Sequence, residues 1–363
     1  MDFDYIKTPG KKASYVCTPQ HFCFVGPRGV GKTSLLASMF HELTHKKLCD
    51  DFIIDTSTPD GLRTLKSLNA AKKAMLDMIY KTDGAYDTID DGLGIRGQDE
   101  ERIYEFMGKT TVKDDSWSAR MTRSTEKEFR FIFHFTDMPG GWYDSDDEAI
   151  QAKVRQHLTE SSVSFLAIDT PPLMESPAHC HDLNKADIIT SWYENALDTL
   201  SERGHTVIMV LTRCERYWNK KAEMLERLRS TYDILLRKLN NKHIRVYATY
   251  VKTLGGVEFE KFETKQTGAT TLVVARFRRN GSEYSPENCA TPLQLALKHG
   301  LMDTILRLKD KKNGFFTSLL AKCSLNNIDL VIQAAGHLAD ELDSKICSDG
   351  TQTHESMNSA AKS

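Results

Sequence analysis

The chain lacks an excess of charge of either sign: its 363 residues carry 48 Lys and Arg against 50 Asp and Glu, a formal net charge of -2. A dedicated nucleic-acid binder concentrates basic residues, so nucleic acid is not an expected partner. Long apolar runs are missing too. No stretch reaches the ~18 residues needed to span a bilayer. The start, MDFDYIKTPGKK, has no apolar core and does not read as a secretory signal. Eight cysteines are present, yet none forms a CxxC pair and no Cys/His group has zinc spacing. They read as reduced thiols, several of them buried, and the expected compartment is the cytoplasm. There is no internal repeat. Only residues 348–363 are biased, small and polar, and they read as a disordered tail.

What is present suits one large domain with an appendage. With 40% hydrophobic and 27% charged residues, a sizeable core is expected and global disorder is not. The first apolar run, His21 to Val25, is followed by GPRGVGKT and then by a stretch of helical composition starting at Ser34. This is strand, glycine loop and helix, and the loop fits GxxxxGK[ST]. The residues Gly26, Pro27, Arg28, Gly29, Val30, Gly31, Lys32, Thr33 and Ser34 form the candidate phosphate site. Glycines let the backbone turn its N–H groups onto phosphate oxygens. Lys32 is placed to reach the β- and γ-phosphates, and the Thr33 hydroxyl is placed for Mg²⁺. The following helix offers its positive end to the anion.

Apolar positions from Leu62 to Ile79 recur at helical spacing, which predicts an amphipathic helix over 60–80. The Gly- and Asp-rich stretch 82–100 reads as a mobile loop. Period-two alternation at Trp117, Ala119 and Met121, and again at Phe129, Phe131, Phe133 and Phe135, predicts a β-hairpin turning at 124–127. It runs into Asp137-Met138-Pro139-Gly140. Such a DxxG at a strand end puts the Asp137 carboxylate near a metal and the Gly140 N–H near a γ-phosphate, whose loss would release the loop. The first switch is expected in 82–100. Thr82, Thr88, Thr110 and Thr111 are all candidates for its metal-contacting threonine.

Strands at 163–168, 206–211 and 244–249 alternate with helices near 185–202 and 219–239, which predicts a mostly parallel sheet with helices on both faces. Thr212-Arg213-Cys214-Glu215 follows the strand TVIMVL. GTPases carry [NT]KxD there, with a carboxylate that accepts two hydrogen bonds from guanine. Here arginine replaces lysine and glutamate replaces aspartate, so Thr212, Arg213 and Glu215 are candidate base contacts. The alternative is a plain loop of solvated charges. Residues Ala248 to Thr253 occupy the place of a second base loop. About three helical stretches are expected over 292–347, as a cap on the sheet or as a docking surface. The clusters Arg276–Arg279 and Asp144–Glu148 read as solvated charge.

In order, GPRGVGKT, the hairpin before DMPGG, the strand ending LAIDTPP, TRCE after TVIMVL and the strand before KTLGG resemble the translation-factor-related class of P-loop GTPases, over about residues 20–300. Within that class the chain resembles the bacterial double-GTPase families of conflict systems. The resemblance implies GTP/GDP and Mg²⁺ as cofactors and a switch acting on a protein partner or through self-association. Lys32 and Gly140 are the candidate catalytic residues, and Arg28 in the phosphate loop is a candidate to lean over the γ-phosphate in cis, with a partner, a second copy of the chain, or Arg28 in solvent as the alternatives. Ras-like members place a glutamine after DxxG where this chain has Gly141, so slow hydrolysis is expected. A non-hydrolysing scaffold and a P-loop ATPase or kinase remain competing readings. The expected fold is an α/β P-loop NTPase with a hairpin before DxxG and a small C-terminal helical extension. The expected division is a lead-in at 1–19, a GTPase domain at 20–285, a helical extension at 286–347 and a tail at 348–363.

Overall fold

The computed structural model describes residues 4–6, 14–45, 52–53, 58–81, 86–87, 100–113, 126–176, 180–267, 270–280, 283–314, 321–348 and 354–357. In chain order the first half contains β1 (Asp4–Ile6), β2 (Ser14–Val25), α1 (Lys32–His45), β3 (Phe52–Ile53), α2 (Pro59–Lys81), β4 (Tyr86–Asp87), β5 (Arg102–Lys113), β6 (Glu126–Asp137) and α3 (Glu148–Glu160). The second half contains β7 (Val163–Asp169), α4 (Thr170–Glu175), α5 (Cys180–Asn184), α6 (Ala186–Glu194), α7 (Leu197–Glu202), β8 (Thr206–Thr212), α8 (Lys221–Thr231), α9 (Asp233–Asn241), β9 (Arg245–Tyr250), β10 (Val257–Thr267), β11 (Thr270–Arg279), α10 (Ala290–Gly314), α11 (Ala321–Ser348) and β12 (His354–Ser356).

The main sheet runs β12-β9-β8-β7-β2-β6-β5-β3, with β1 on β2. β6, β2, β7, β8 and β9 are parallel to their neighbours in that series, whereas β1, β3, β5 and β12 pair antiparallel. Every residue of β7 and of β8 is buried, as central parallel strands covered on both faces must be. β6 buries Phe129, Phe131, Phe133 and Phe135 and leaves Arg130, Ile132 and His134 between them half-exposed. These rings join those of β2 and β7: Phe24 stacks on Phe165 at 4.6 Å and Phe22 meets Phe135 edge-on at 4.9 Å. This is an α/β P-loop NTPase fold, with a strand–loop–helix at 14–45 and an antiparallel pair, β5 and β6, before DxxG.

The C-terminal helices belong to this core. A methyl on Gly300 would lie 2.6 Å from the Phe22 ring, so α10 sits directly on β2. The amide of Ala290 donates to Glu42 of α1 at 2.7 Å. The described helices in this region are two, not three.

Several expected boundaries move. The antiparallel partner of β6 is 102–113 rather than 117–122, which lies outside the described residues together with the expected turn at 124 and 125. The lead-in is not wholly irregular, since β1 and the start of β2 lie within it. Within the expected disordered tail, His354–Ser356 add a strand to β9, and the Met357 amide donates to the Val246 carbonyl at 2.9 Å. The helix expected over 219–239 is broken at Tyr232, and that over 185–202 is two short helices, Ala186–Glu194 and Leu197–Glu202. Most of 82–100 lies outside the described residues; Tyr86–Asp87 pair with β11.

Candidate nucleotide site

The phosphate loop leaves β2 through Gly26, where φ is 147° and a methyl would meet the Ala167 carbonyl oxygen at 2.8 Å. Gly29 and Gly31 take left-handed φ of 84° and 89°. Lys32 opens α1 and is buried. Its ammonium donates to the Gly26 carbonyl at 2.6 Å and the Pro27 carbonyl at 3.1 Å, and lies 5.7 Å from the Tyr143 ring centroid. Burial lowers its pKa to about 8, opposed by the charge of Asp137. Arg28 is exposed, and the Arg28 side chain makes no hydrogen bond or ion pair among the described residues.

Thr33 and Asp137 meet, although 104 residues separate them: Thr33 Oγ1 donates to Asp137 Oδ2 at 2.7 Å. The parallel pairing of β2 with β6 puts Phe24 beside Asp137, and so brings the start of α1 to the end of β6. Two hard oxygen donors side by side fit Mg²⁺, which takes few protein ligands and completes its octahedron with water and phosphate. Beyond Asp137 the chain enters a 3-10 turn, Gly140–Asp144, that buries Trp142 and Tyr143, and Tyr143 stacks on Trp192 at 4.5 Å. The acidic run after it has a local role, because Asp147 caps α3 by accepting from the Ala149 amide at 2.8 Å.

The register of β5 bears on the first switch. Arg102 pairs with Asp137, whereas Thr110 pairs with Phe129 and Thr111 with Glu128. Eight residues of strand put Thr110 about 26 Å from the Asp137 end. Thr110 and Thr111 are therefore not metal-contacting threonines. Thr82 and Thr88 lie outside the described residues, and Gln98-Asp99-Glu100-Glu101, which leads into β5, holds no threonine.

At the end of β8, Thr212 and Arg213 are bonded to the phosphate loop. Thr212 Oγ1 donates to the Val30 carbonyl at 2.8 Å and lies 3.1 Å from the Ile168 carbonyl. Arg213 has a left-handed φ of 56°, and its guanidinium donates to the Gly29 carbonyl. It also donates to Asp169 Oδ2 at 3.0 Å and lies 5.0 Å from the Phe277 ring centroid. Glu215 Oε1 accepts from the amides of Leu254 and Gly255 at 3.1 and 3.3 Å. Burial raises the Glu215 pKa, and its own backbone amide, the amides of Leu254 and Gly255 and the charge of Arg213 oppose the rise. The loop after β9 thus packs on the loop after β8, as the spacing of the two motifs suggests.

Asp169 and Tyr143 had no assigned place from sequence. Phe277 lay in the cluster Arg276–Arg279 read as solvated charge, whereas it is buried and Arg276 and Arg278 donate to Glu263 and Glu258. A carboxylate at the carboxyl end of a parallel strand beside the phosphate-loop strand was the available signal for Asp169. Phe277 stands in the hairpin β10–β11, and nothing in its sequence pattern points toward Arg213.

No family model matches the chain, and no curated protein matches it in sequence. Among solved structures, the signal recognition particle receptor SRb-GTP/SRX complex from Chaetomium thermophilum is similar over 66% of this chain and 93% of that one, at 15% identity and a TM-score of 0.32. The GTP-bound Ski7 GTPase-like domain of S. cerevisiae is similar over 65% of this chain and 42% of its own, at 15% identity and a TM-score of 0.30. Among the described residues no helix is long and apolar enough to cross a membrane.

Proposed function

We propose that the chain binds GTP with Mg²⁺ and hydrolyses it slowly, as a regulatory switch of the translation-factor-related class acting on a protein partner or on a second copy of itself. The observation that carries this reading is the pair of bonds from Thr212 and Arg213 to the carbonyls of Val30 and Gly29. That a loop is so fixed to a phosphate-binding loop supports a base-contacting role for it. A carboxylate, Glu215, stands two residues on, and neither amide bond to it uses Oε2. Guanine offers two N–H donors to such an acceptor.

Each residue then has a part. The backbone amides of Gly29 to Thr33 and the N-terminus of α1 hold the phosphates. Lys32 exchanges its carbonyl bonds for phosphate oxygens and places a positive charge where the transition state is negative. Thr33 and Asp137 would hold Mg²⁺, which neutralises charge on the β- and γ-phosphates. Gly140 brings its N–H to the γ-phosphate side of the loop. The role in a bacterial conflict system belongs to the same proposal and rests on the motif order alone.

A second reading, a non-hydrolysing binder, is favoured by Gly141, which supplies no side chain to orient a water. The experiment is binding of a labelled GTP analogue and phosphate release from GTP and ATP side by side, in wild type, Lys32→Ala and Thr33→Ala. Lys32→Ala is expected to lose tight triphosphate binding, and Thr33→Ala mainly its Mg²⁺ dependence. Wild-type affinity in Lys32→Ala overturns the phosphate site. Binding without any phosphate release establishes the second reading.

A further inference from the structure

Asp169 is buried, and only half of its carboxylate is used. Oδ2 takes the Arg213 guanidinium at 3.0 Å, while Oδ1 has no hydrogen-bond partner among the described residues. Its backbone is held separately: the Asp169 amide donates to Asn184 Oδ1 at 2.7 Å, and Asn184 Nδ2 donates to the Asp169 carbonyl at 3.1 Å. The carboxylate is therefore not needed to form the end of β7, and its place is explained by Arg213. Phe277 approaches the same guanidinium from a different element. It is buried in β11, edge-on to Phe259 at 5.9 Å, with its main chain paired to Tyr86 of β4. The root of that hairpin is fixed by Arg216, which donates to the Glu260 carbonyl at 2.5 Å.

A guanidinium is planar. Bonds to Asp169 and the Gly29 carbonyl set its orientation, its central carbon lies 5.0 Å from the Phe277 ring centroid, and a guanidinium so held offers a flat group on which a purine can stack. We infer that Asp169 and Phe277 are positioning residues that hold Arg213 flat as a stacking shelf for the purine of the bound nucleotide. The inference rests on the proposed function, because it supposes a nucleotide at the phosphate loop. A shelf of this kind binds any purine by its face, so it contributes affinity for the base and leaves the choice between guanine and adenine to Glu215. The hairpin after the second base loop is then a working part of the base site.

The test compares a ligand with a base and one without. Affinities for GTP, ATP and inorganic tripolyphosphate, each with Mg²⁺, are measured by calorimetry in wild type, Asp169→Asn and Phe277→Leu. Asparagine keeps the shape and removes the charge, and leucine keeps apolar volume and removes the ring face. Both variants are expected to bind GTP about tenfold more weakly or worse, and ATP by the same factor, with tripolyphosphate affinity changed less than twofold. Equal losses for GTP and tripolyphosphate mean general damage to the phosphate loop and overturn the inference. So does unchanged GTP affinity in both variants. Wild type that binds GTP no more tightly than tripolyphosphate has no base site at all, which overturns the proposed function before the variants are considered. Two substitutions on separate elements, one in β7 and one in β11, guard against a single variant that fails to fold.

Discussion

A methyl group on Gly140 would lie 2.4 Å from both the Cα and the backbone nitrogen of Arg28. The loop after β6 and the phosphate loop thus touch backbone to backbone, and only glycine allows it. Gly140→Ala must push the two loops apart, and on the proposed function this moves the Gly140 amide away from the γ-phosphate. We expect it to slow single-turnover GTP hydrolysis by tenfold or more. A methyl on Gly141 meets nothing within 4 Å, so Gly141→Ala is the control and should keep the wild-type rate. A wild-type rate in Gly140→Ala would show that this contact has no part in the reaction.

Glu215 has two tasks that one substitution can separate. Its Oε1 accepts from the amides of Leu254 and Gly255, and its second oxygen is the proposed guanine acceptor. In Glu215→Gln the amide oxygen can keep the two backbone bonds while an NH₂ replaces the acceptor, setting donor against donor at guanine. A site built to hydrogen-bond a group can reject an analogue lacking it by up to ~10⁴-fold, and an imperfect site by less. The GTP over ATP preference is expected to fall at least tenfold, with little change in Tm. In Glu215→Ala the preference and the Tm should fall together. Equal wild-type affinity for the two nucleotides would remove guanine recognition altogether.

The parts of this fold legible in sequence were those set by local pattern. The glycine spacing of the phosphate loop, the apolar runs of β7 and β8 and the alternation of Phe129 to Phe135 each follow from one short stretch. The described pairing partner of β6 is 102–113 rather than 117–122, because period-two alternation marks a stretch as suited to a strand and says nothing of which strand it pairs with. Tyr232 is buried and on pattern, so the break between α8 and α9 left no mark in the hydrophobic period. In the site, Thr33 and Asp137 were legible because each belongs to a motif. Asp169 and Phe277 were not, because the feature that unites them is Arg213, and its direction is decided by tertiary structure.

A fully buried polar chain gives the fold a pH dependence. His205 donates from Nδ1 to the Ser161 carbonyl at 2.8 Å, which leaves Nε2 to accept from the Ser164 hydroxyl at 2.9 Å; Ser164 in turn meets Tyr193 OH at 2.7 Å. Burial chiefly lowers the His205 pKa, from 6.5 to about 4. The folded state holds the neutral ring while the unfolded chain protonates near 6.5. The contribution is therefore complete above 6.5 and is lost as pH falls toward 4. Its upper limit is on the order of 3 kcal/mol. Denaturant unfolding of wild type and His205→Gln from pH 7.5 to 4 checks this. The difference between them should shrink by that order across the window, and a constant difference would mean that His205 does not titrate there.

The slow reaction proposed for this protein has a structural cause that can be reversed. Phosphoryl transfer depends on positioning and charge, and a water must be held in line with the γ-phosphate. Gly141 stands directly after DxxG and is exposed, with space for a side chain. Gly141→Gln would supply a group that can both accept from and donate to that water. We expect single-turnover hydrolysis to rise by roughly tenfold, at the lower margin of what a positioned side chain contributes to proton and water handling. Arg28 provides the second arm. Its side chain is exposed and uncommitted among the described residues, so in wild type it is free to lean over the γ-phosphate or to stay in solvent. If it acts in cis, Arg28→Ala slows both wild type and Gly141→Gln by a similar factor at every protein concentration. If a second copy of the chain supplies the missing group, the wild-type rate climbs with protein concentration, and Gly141→Gln makes it less dependent. A wild-type rate already fast at all concentrations, and unmoved by either substitution, would show that neither Gly141 nor Arg28 limits the reaction and would remove the slow switch from the proposed function.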